Sequence, residues 1–371
     1  MPDIDTARLA SLVLWSVFAL SIGFGAIAQR THFCTMGAVA DVVNMGDWTR
    51  ARMWALAVAV AVLGFNAMVW LGWIEARDTI YAGPRLLWLS ALVGGLLFGF
   101  GMVLASGCGS KSLVRLGAGN LKSLVVLGVL GISAFATLRG ITGVLRVGTV
   151  DRVAVELTPG QDLPSLLAAP TGIAVPTLAL VVGALLGLAL VGWVLSRSEG
   201  RSGEVWLGGV GIGLAIAGVW YASGVLGHVA EDPATLEEAF LATQSRRMES
   251  LSMVAPVAYT LDWLMFFSDA SKRLTLGIVS VVGIVLGSAL AALLGRSFRW
   301  EGFGGTEDVA NHLVGGLLMG VGGVTALGCT IGQGISGVST LSIGSFIALA
   351  GIVAGAVFAL RYQGWRLERS P

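Results

Sequence analysis

The chain has 371 residues, 55% of them hydrophobic and 12% charged, with 54 glycines and a mean hydropathy of +0.83. Soluble domains carry roughly 25% charged residues, so this composition excludes a water-exposed globule and implies an all-α polytopic membrane protein. A net charge of +1, with basic residues scattered singly, excludes a nucleic-acid surface, and three cysteines without CxxC spacing exclude a disulfide framework or a zinc ribbon.

Apolar runs predict about nine spanning helices, near 9–28, 50–74, 86–106, 120–138, 174–195, 204–222, 274–295, 311–327 and 342–361. Most are long enough for a helix to cross a ~30 Å hydrocarbon core. The first run imitates a signal peptide ending in Ala26-Ile27-Ala28, but Asp3 and Asp5 outweigh Arg8 where a signal needs positive charge. It reads as a membrane helix. Between the spans lie 35–45, 109–117, 252–268 and 330–340, too short to cross. A half-length helix at membrane depth is tolerated where protein or a watery cavity shelters its ends, so these segments are expected to be re-entrant helices.

Two stretches, 139–173 and 228–251, are polar. In the second, Asp232-Pro233 resembles an N-cap followed by proline at the first helical position, with Glu237 and Glu238 behind it. This predicts a short amphipathic helix over 233–247 at the membrane surface. Arg361, Arg366 and Arg369 follow the last span and favour a cytoplasmic C-terminus. Lys272, Arg273, Arg296 and Arg299 flank both ends of another span and blunt that rule.

One segment occurs twice. Residues 92–108, LVGGLLFGFGMVLASGC, and 313–329, LVGGLLMGVGGVTALGC, are identical at 12 of 17 positions when shifted by 221, and both end at a cysteine, Cys108 and Cys329. With one further residue inserted, Ser123-Leu-Val-Val-Leu aligns with Ser345-Phe-Ile-Ala-Leu, so the unit is helix, cysteine, short element, helix. A looser copy starts the chain, Gly23-Phe-Gly25 leading to Cys34. A fourth echo, Gly211-Ile-Gly213 leading to Trp220-Tyr-Ala-Ser-Gly224, lacks the cysteine. The expected architecture is a single membrane domain, 1–371, in two pseudo-symmetric halves, 1–200 and 201–371. They are expected to be inverted repeats around a central path, as in many transporters.

Small or hydroxylated residues follow each thiol: Thr35-Met-Gly37 after Cys34, Gly109-Ser110-Lys111 after Cys108, Thr330-Ile-Gly-Gln333 after Cys329. A helix starting there presents unpaired N–H groups and a partial positive charge, which is an anion site. A hard oxyanion gains nothing particular from sulfur, and a soft cation is repelled by converging helix N-termini. A small anion with a terminal sulfur suits both features, the cysteines then acting as neutral S–H donors. Weak, repeated contacts suit conduction. Thr35, Gly109, Ser110, Thr330 and Gln333 are candidate supporting contacts. Lys111 and Arg115, and Arg30 and His32, either attract the anion or snorkel to the interface. His228 and His312 read as interfacial rather than metal-binding, Glu301, Asp308, Asp262 and Asp269 as solvated or capping, and Trp220-Tyr221 as packing or path-lining.

The run Gly328-Cys329-Thr330-Ile331-Gly332-Gln333-Gly334, its partner Gly107-Cys108-Gly109 and HLVGGLLMGVGG at 312–323 resemble the YeeE/YedE family. So do Arg299-Trp-Glu-Gly-Phe303 and Ser250-Leu-Ser-Met-Val-Ala-Pro256. The resemblance covers nearly the whole chain. It implies a bacterial inner-membrane protein that imports thiosulfate, with Cys34, Cys108 and Cys329 along the path, and a cytoplasmic TusA-like sulfur carrier as partner. It implies no enzyme activity, no cofactor and no metal. Alternatives are another sulfur or selenium species, a membrane sulfurtransferase working through a cysteine persulfide, and a soft-metal transporter.

Overall fold

The computed structural model describes residues 6–233 and 235–369. Asp3 and Asp5, on which the signal-peptide argument turned, lie outside them. The chain is helical almost throughout: α1 Thr6–Arg30, α2 Thr35–Met45, α3 Thr49–Trp70, α4 Trp88–Leu104, α5 Gly109–Gly117, α6 Leu121–Arg139, α7 Ile141–Gly148, α8 Leu163–Thr171, α9 Val175–Leu195, α10 Gly203–Tyr221, α11 Val254–Met265, α12 Leu276–Leu294, α13 Thr306–Thr325 and α14 Ile343–Arg369. Two antiparallel ladders of two residues a side interrupt it, β1 Arg85–Leu86 with β2 Val155–Glu156 and β3 His228–Val229 with β4 Ala239–Phe240.

Among the described residues, eight helical segments are long and apolar enough to cross a membrane. The ninth expected span, 311–327, falls in α13. This helix has 20 residues, but its first turns carry Glu307, Asp308, Asn311 and His312, which lower its apolarity. The short segments 35–45 and 109–117 form α2 and α5, and 252–268 contains α11. After Cys329 the chain winds as a π turn, Gly332–Gly337, with the Ser336 amide reaching back to the Ile331 carbonyl.

The amphipathic helix expected over 233–247 does not form. Leu236, Ala242 and Arg246 take left-handed backbone angles, with φ of 57°, 61° and 59°. The polar side chains serve other partners: Glu238 pairs with His228 at 2.7 Å, and Glu249 accepts the Gln244 and Ser245 amides. The segment becomes a β3–β4 cover, because these cross-chain bonds compete with i→i−4 bonds. Ala234 lies outside the described residues.

Helices pack through glycine, as expected where lipid supplies no hydrophobic drive. α4 and α13 run antiparallel, with Gly94 facing Gly322 and Gly101 facing Gly315; a Cβ at Gly94 would stand 2.6 Å from the Gly322 oxygen, and one at Gly315 2.6 Å from the Gly101 oxygen. Under the offset of 221 these two contacts exchange with each other. The neighbouring pairs follow suit. Gly95 lies over Ala348 and Gly99 over Ile352 of α14, while the equivalent Gly316 lies over Val126 and Gly320 over Leu130 of α6. α10 runs antiparallel to α1 (Gly211 beside Ile27, Gly218 beside Leu20) and parallel to α3 (Gly209 beside Leu56, Gly213 beside Val60). Helices of 1–200 therefore pack extensively on helices of 201–371.

Candidate functional site: three buried thiols between two cavities

Each cysteine follows the same backbone device. α1, α4 and α13 close with a 6→1 hydrogen bond, Phe33 N–H to Ala28 O at 3.2 Å, Gly107 to Met102 at 2.8 Å and Gly328 to Gly323 at 2.7 Å. The residue before that donor is left-handed in all three: His32 (φ 51°), Ser106 (φ 54°) and Leu327 (φ 58°). These are Schellman closures, and none uses glycine at the left-handed position, where an L side chain costs about 1–2 kcal/mol. The next residue but one is the thiol.

Cys34 and Cys108 are the N-caps of α2 and α5, both in extended conformation. The Gly37 amide donates to Cys34 Sγ at 3.3 Å, and the Gly332 amide donates to Cys329 Sγ at 3.4 Å. Cys108 Sγ lies 3.2 Å from Ser110 Oγ. All three thiols are free, with exposures of 7%, 1% and 0%. Cys108 lies in the stretch of chain between the α4 end and α5, and Lys111 of α5 shares a cavity with Cys34.

The Cys329 turn is tied on several sides. Ser336 Oγ donates to Leu251 O at 2.8 Å, Trp220 Nε1 to Ser339 Oγ at 3.0 Å, and Asn66 Nδ2 to Ser339 O at 3.0 Å. Trp220 is fully buried against Phe65 and Tyr81, so it packs behind the thiol turn. Several polar atoms around the turn have no protein partner: Thr330 Oγ1, Gln333 Oε1, Tyr81 OH and Ser345 Oγ. Buried groups of this kind are normally hydrogen-bonded, so they mark where a polar guest can bind.

Two cavities flank the thiols. One, of about 460 Å³, is lined by Cys34, Gly37, Arg50, Lys111 and Arg115 and lies where α1 ends and α3 and α10 begin. The other, of about 230 Å³, is lined by Ser252, Glu249, Arg146, Tyr259 and Gly328 and lies where α6 and α13 end and α12 begins. They open at opposite ends of the bundle. Burial pushes the Glu249 carboxyl above the ordinary carboxylate range, against the pull of the Gln244 and Ser245 hydrogen bonds. Arg146 pairs with Asp151 at 3.1 Å.

Of the other residues singled out by sequence, Ser110 and Lys111 come together with Cys108 and Cys34. Gly109 opens α5, and Gln333 turns its amide nitrogen to Ala326 O. Thr35 is buried, with Oγ1 unpartnered, and faces an apolar groove beside Trp54 rather than the Cys34 cavity. Arg30 is exposed at the end of α1 and does not line that cavity. His312 is buried and bonds Asp308, and Asp308 also pairs with Lys122 at 2.9 Å. Glu301 accepts from Asn120, Asp262 pairs with Lys272, and Asp269 caps Ser271. Sequence reasoning missed Tyr81, which packs on Trp220, and Asn66, Arg50 and Asp41, whose partners lie on other elements.

The profile of the sulphur-transport family matches residues 30–358. The chain is 26% identical over 356 residues to the thiosulfate transporter TsuA of Spirochaeta thermophila, covering 92% of this chain and 97% of that protein. It is 26% identical over 344 residues to TsuA of Escherichia coli K12, covering 89% of each. A 94-residue stretch is 36% identical to the probable transporter YedE of Escherichia coli K12, covering 25% of this chain and 22% of that protein. With its apolar helices and this match, the chain is a multi-pass membrane protein that belongs to the sulphur-transport (YeeE/YedE) family.

Proposed function

We propose that this protein imports thiosulfate across the bacterial inner membrane along a path from the Glu249 cavity, which reaches Gly328 beside Cys329, past Cys329 and Cys108 to the Cys34 cavity. The observation that carries the reading is the set of three buried, free thiols in one repeated turn geometry, with cavities at both ends. The names of relatives that align over most of the chain support the substrate. Two of the sulfurs accept a backbone N–H and keep their own S–H to offer. A thiosulfate sulfur takes those weak donors in turn, while its oxygens meet amides and hydroxyls such as Ser110 and Thr330. No single contact is strong enough to trap the ion.

The contacts that exchange copies under the repeat offset favour two inverted halves related by an axis in the membrane plane. Arg361 and Arg366 at the end of α14 favour a cytoplasmic C-terminus. The Cys34 cavity shares that face, because α14 runs with α4, and α4 against α13. It is the side on which a TusA-like carrier would collect sulfur.

The test is uptake of labelled thiosulfate into proteoliposomes, followed by intact-mass measurement of the protein. The expected result is saturable uptake that each Cys→Ala lowers and Cys→Ser restores only in part, with no mass added to the protein. A covalent adduct of one sulfur atom on a cysteine, formed in step with uptake, would replace the reading by persulfide transfer.

A further inference from the structure

The Cys34 cavity gathers three cations. Lys111 lines the cavity with Cys34, Arg50 and Arg115 and makes no hydrogen bond or ion pair among the described residues. Arg115 donates to the Ser106 carbonyl at 2.7 Å, which fixes its guanidinium beside the Cys108 turn. Arg50 is held by Asp41, Nε to Oδ2 at 2.7 Å, with the Asp41 side chain 6% exposed. Its NH1 lies over Gly37 so closely that any side chain at 37 would displace it.

Two carboxylates also line the cavity; neither makes a contact ion pair with these cations, although Asp47 lies within electrostatic reach of Arg50. Asp47 accepts the Thr49 amide at 2.9 Å and hydroxyl at 2.7 Å, and Glu204 sits exposed in the first turn of α10. Lys111 and Arg115 have no acidic partner among the described residues, and like charges brought together cost free energy that a joining anion offsets. The N-terminus of the 11-residue α2, capped by Cys34 itself, points its field into the same space.

We propose that this cavity is a holding site for small inorganic dianions, recognised by charge and not by sulfur, in which Arg50 is positioned by Asp41 to share the ion with Lys111 and Arg115. Sulfate, sulfite and thiosulfate are equivalent guests here, whereas discrimination among them belongs to the buried thiols. Thiosulfate as its physiological occupant rests on the transport reading above; the site itself does not. A guanidinium offers paired N–H donors to oxyanion edges and an ammonium offers a point charge. Gly37 and the Asp41–Arg50 pair are therefore parts of the binding machinery.

Equilibrium dialysis of labelled sulfate against purified full-length protein at low ionic strength tests this. Wild type and the protein with Cys34, Cys108 and Cys329 all changed to alanine are expected to bind sulfate alike. Lys111→Gln and Arg50→Gln should each weaken binding about tenfold or more. Gly37→Ala, which keeps every charge but moves the guanidinium, should weaken it several-fold, and matched melting curves confirm that each variant is folded. Sulfate binding that is absent from wild type, or equally strong in Lys111→Gln and Arg50→Gln, would overturn the proposal, as would a site that takes an acidic peptide and not sulfate. Thiosulfate uptake by wild type, measured in parallel, reads the transport proposal separately. Charge-dependent sulfate binding without uptake would remove that reading and leave this one standing.

Discussion

The residues of the candidate site differ in how visible they are in the sequence. The thiols are legible because duplication repeats Cys108 and Cys329 at equivalent positions within otherwise exchangeable apolar neighbours. The left-handed residues that aim them are not, since histidine, serine and leucine carry no local signal for positive φ and only the surrounding packing imposes it. Arg50 and Asp41 are also silent, because their pairing spans α2 and α3. Glu249 gives a residue-scale prediction. Its acid form is favoured in the folded protein, so its stabilisation is full below the ordinary carboxylate value of 4.5 and is lost as pH rises through the raised folded value. Glu249→Gln keeps a neutral side chain at every pH. The thermal midpoint of the wild type should therefore fall relative to this variant as pH rises above the ordinary value. Parallel curves for the two proteins would contradict the assignment.

At the scale of elements, two short helices were legible from length alone: α2 and α5 occupy the residues expected of them. The winding after Cys329 was not, because the glycines at 332, 334 and 337 permit either an α-turn or the observed π turn, and the bonds to Leu251, Trp220 and Asn66 come from distant helices. Over 233–247 the local N-cap signal was outweighed by the β3–β4 ladder and by Glu238 and Glu249 finding partners elsewhere. The α4–α13 crossing offers a direct check on the packing. Gly101→Ala and Gly315→Ala each drive a methyl against a carbonyl oxygen of the other helix. Each should cost about 1–3 kcal/mol, and the double variant should cost clearly less than the two singles together, since they strain one contact. Additive losses in melting temperature would argue that the two glycines do not share it.

For the whole molecule, the same crossing bears on symmetry. Gly101 and Gly322 occupy equivalent repeat positions and meet equivalent partners, Gly315 and Gly94. Gly101→Ala and Gly322→Ala should therefore destabilise by similar amounts, although they stand far apart in the chain; sharply unequal losses would speak against inverted halves. The proposed symmetry accounts for where the thiols stand. A cysteine behind each antiparallel helix sets one near each end of the shared crossing, and the diverged first copy adds Cys34 beyond Cys108. In the proposed reading, sulfur recognition belongs to the buried thiols and charge recognition to the Cys34 cavity. The most direct test of the relay is the initial rate of labelled thiosulfate uptake into proteoliposomes by the protein with Cys34, Cys108 and Cys329 all changed to alanine. The account predicts a rate no higher than that of protein-free liposomes, with folding and sulfate binding intact. Uptake at the wild-type rate would contradict it.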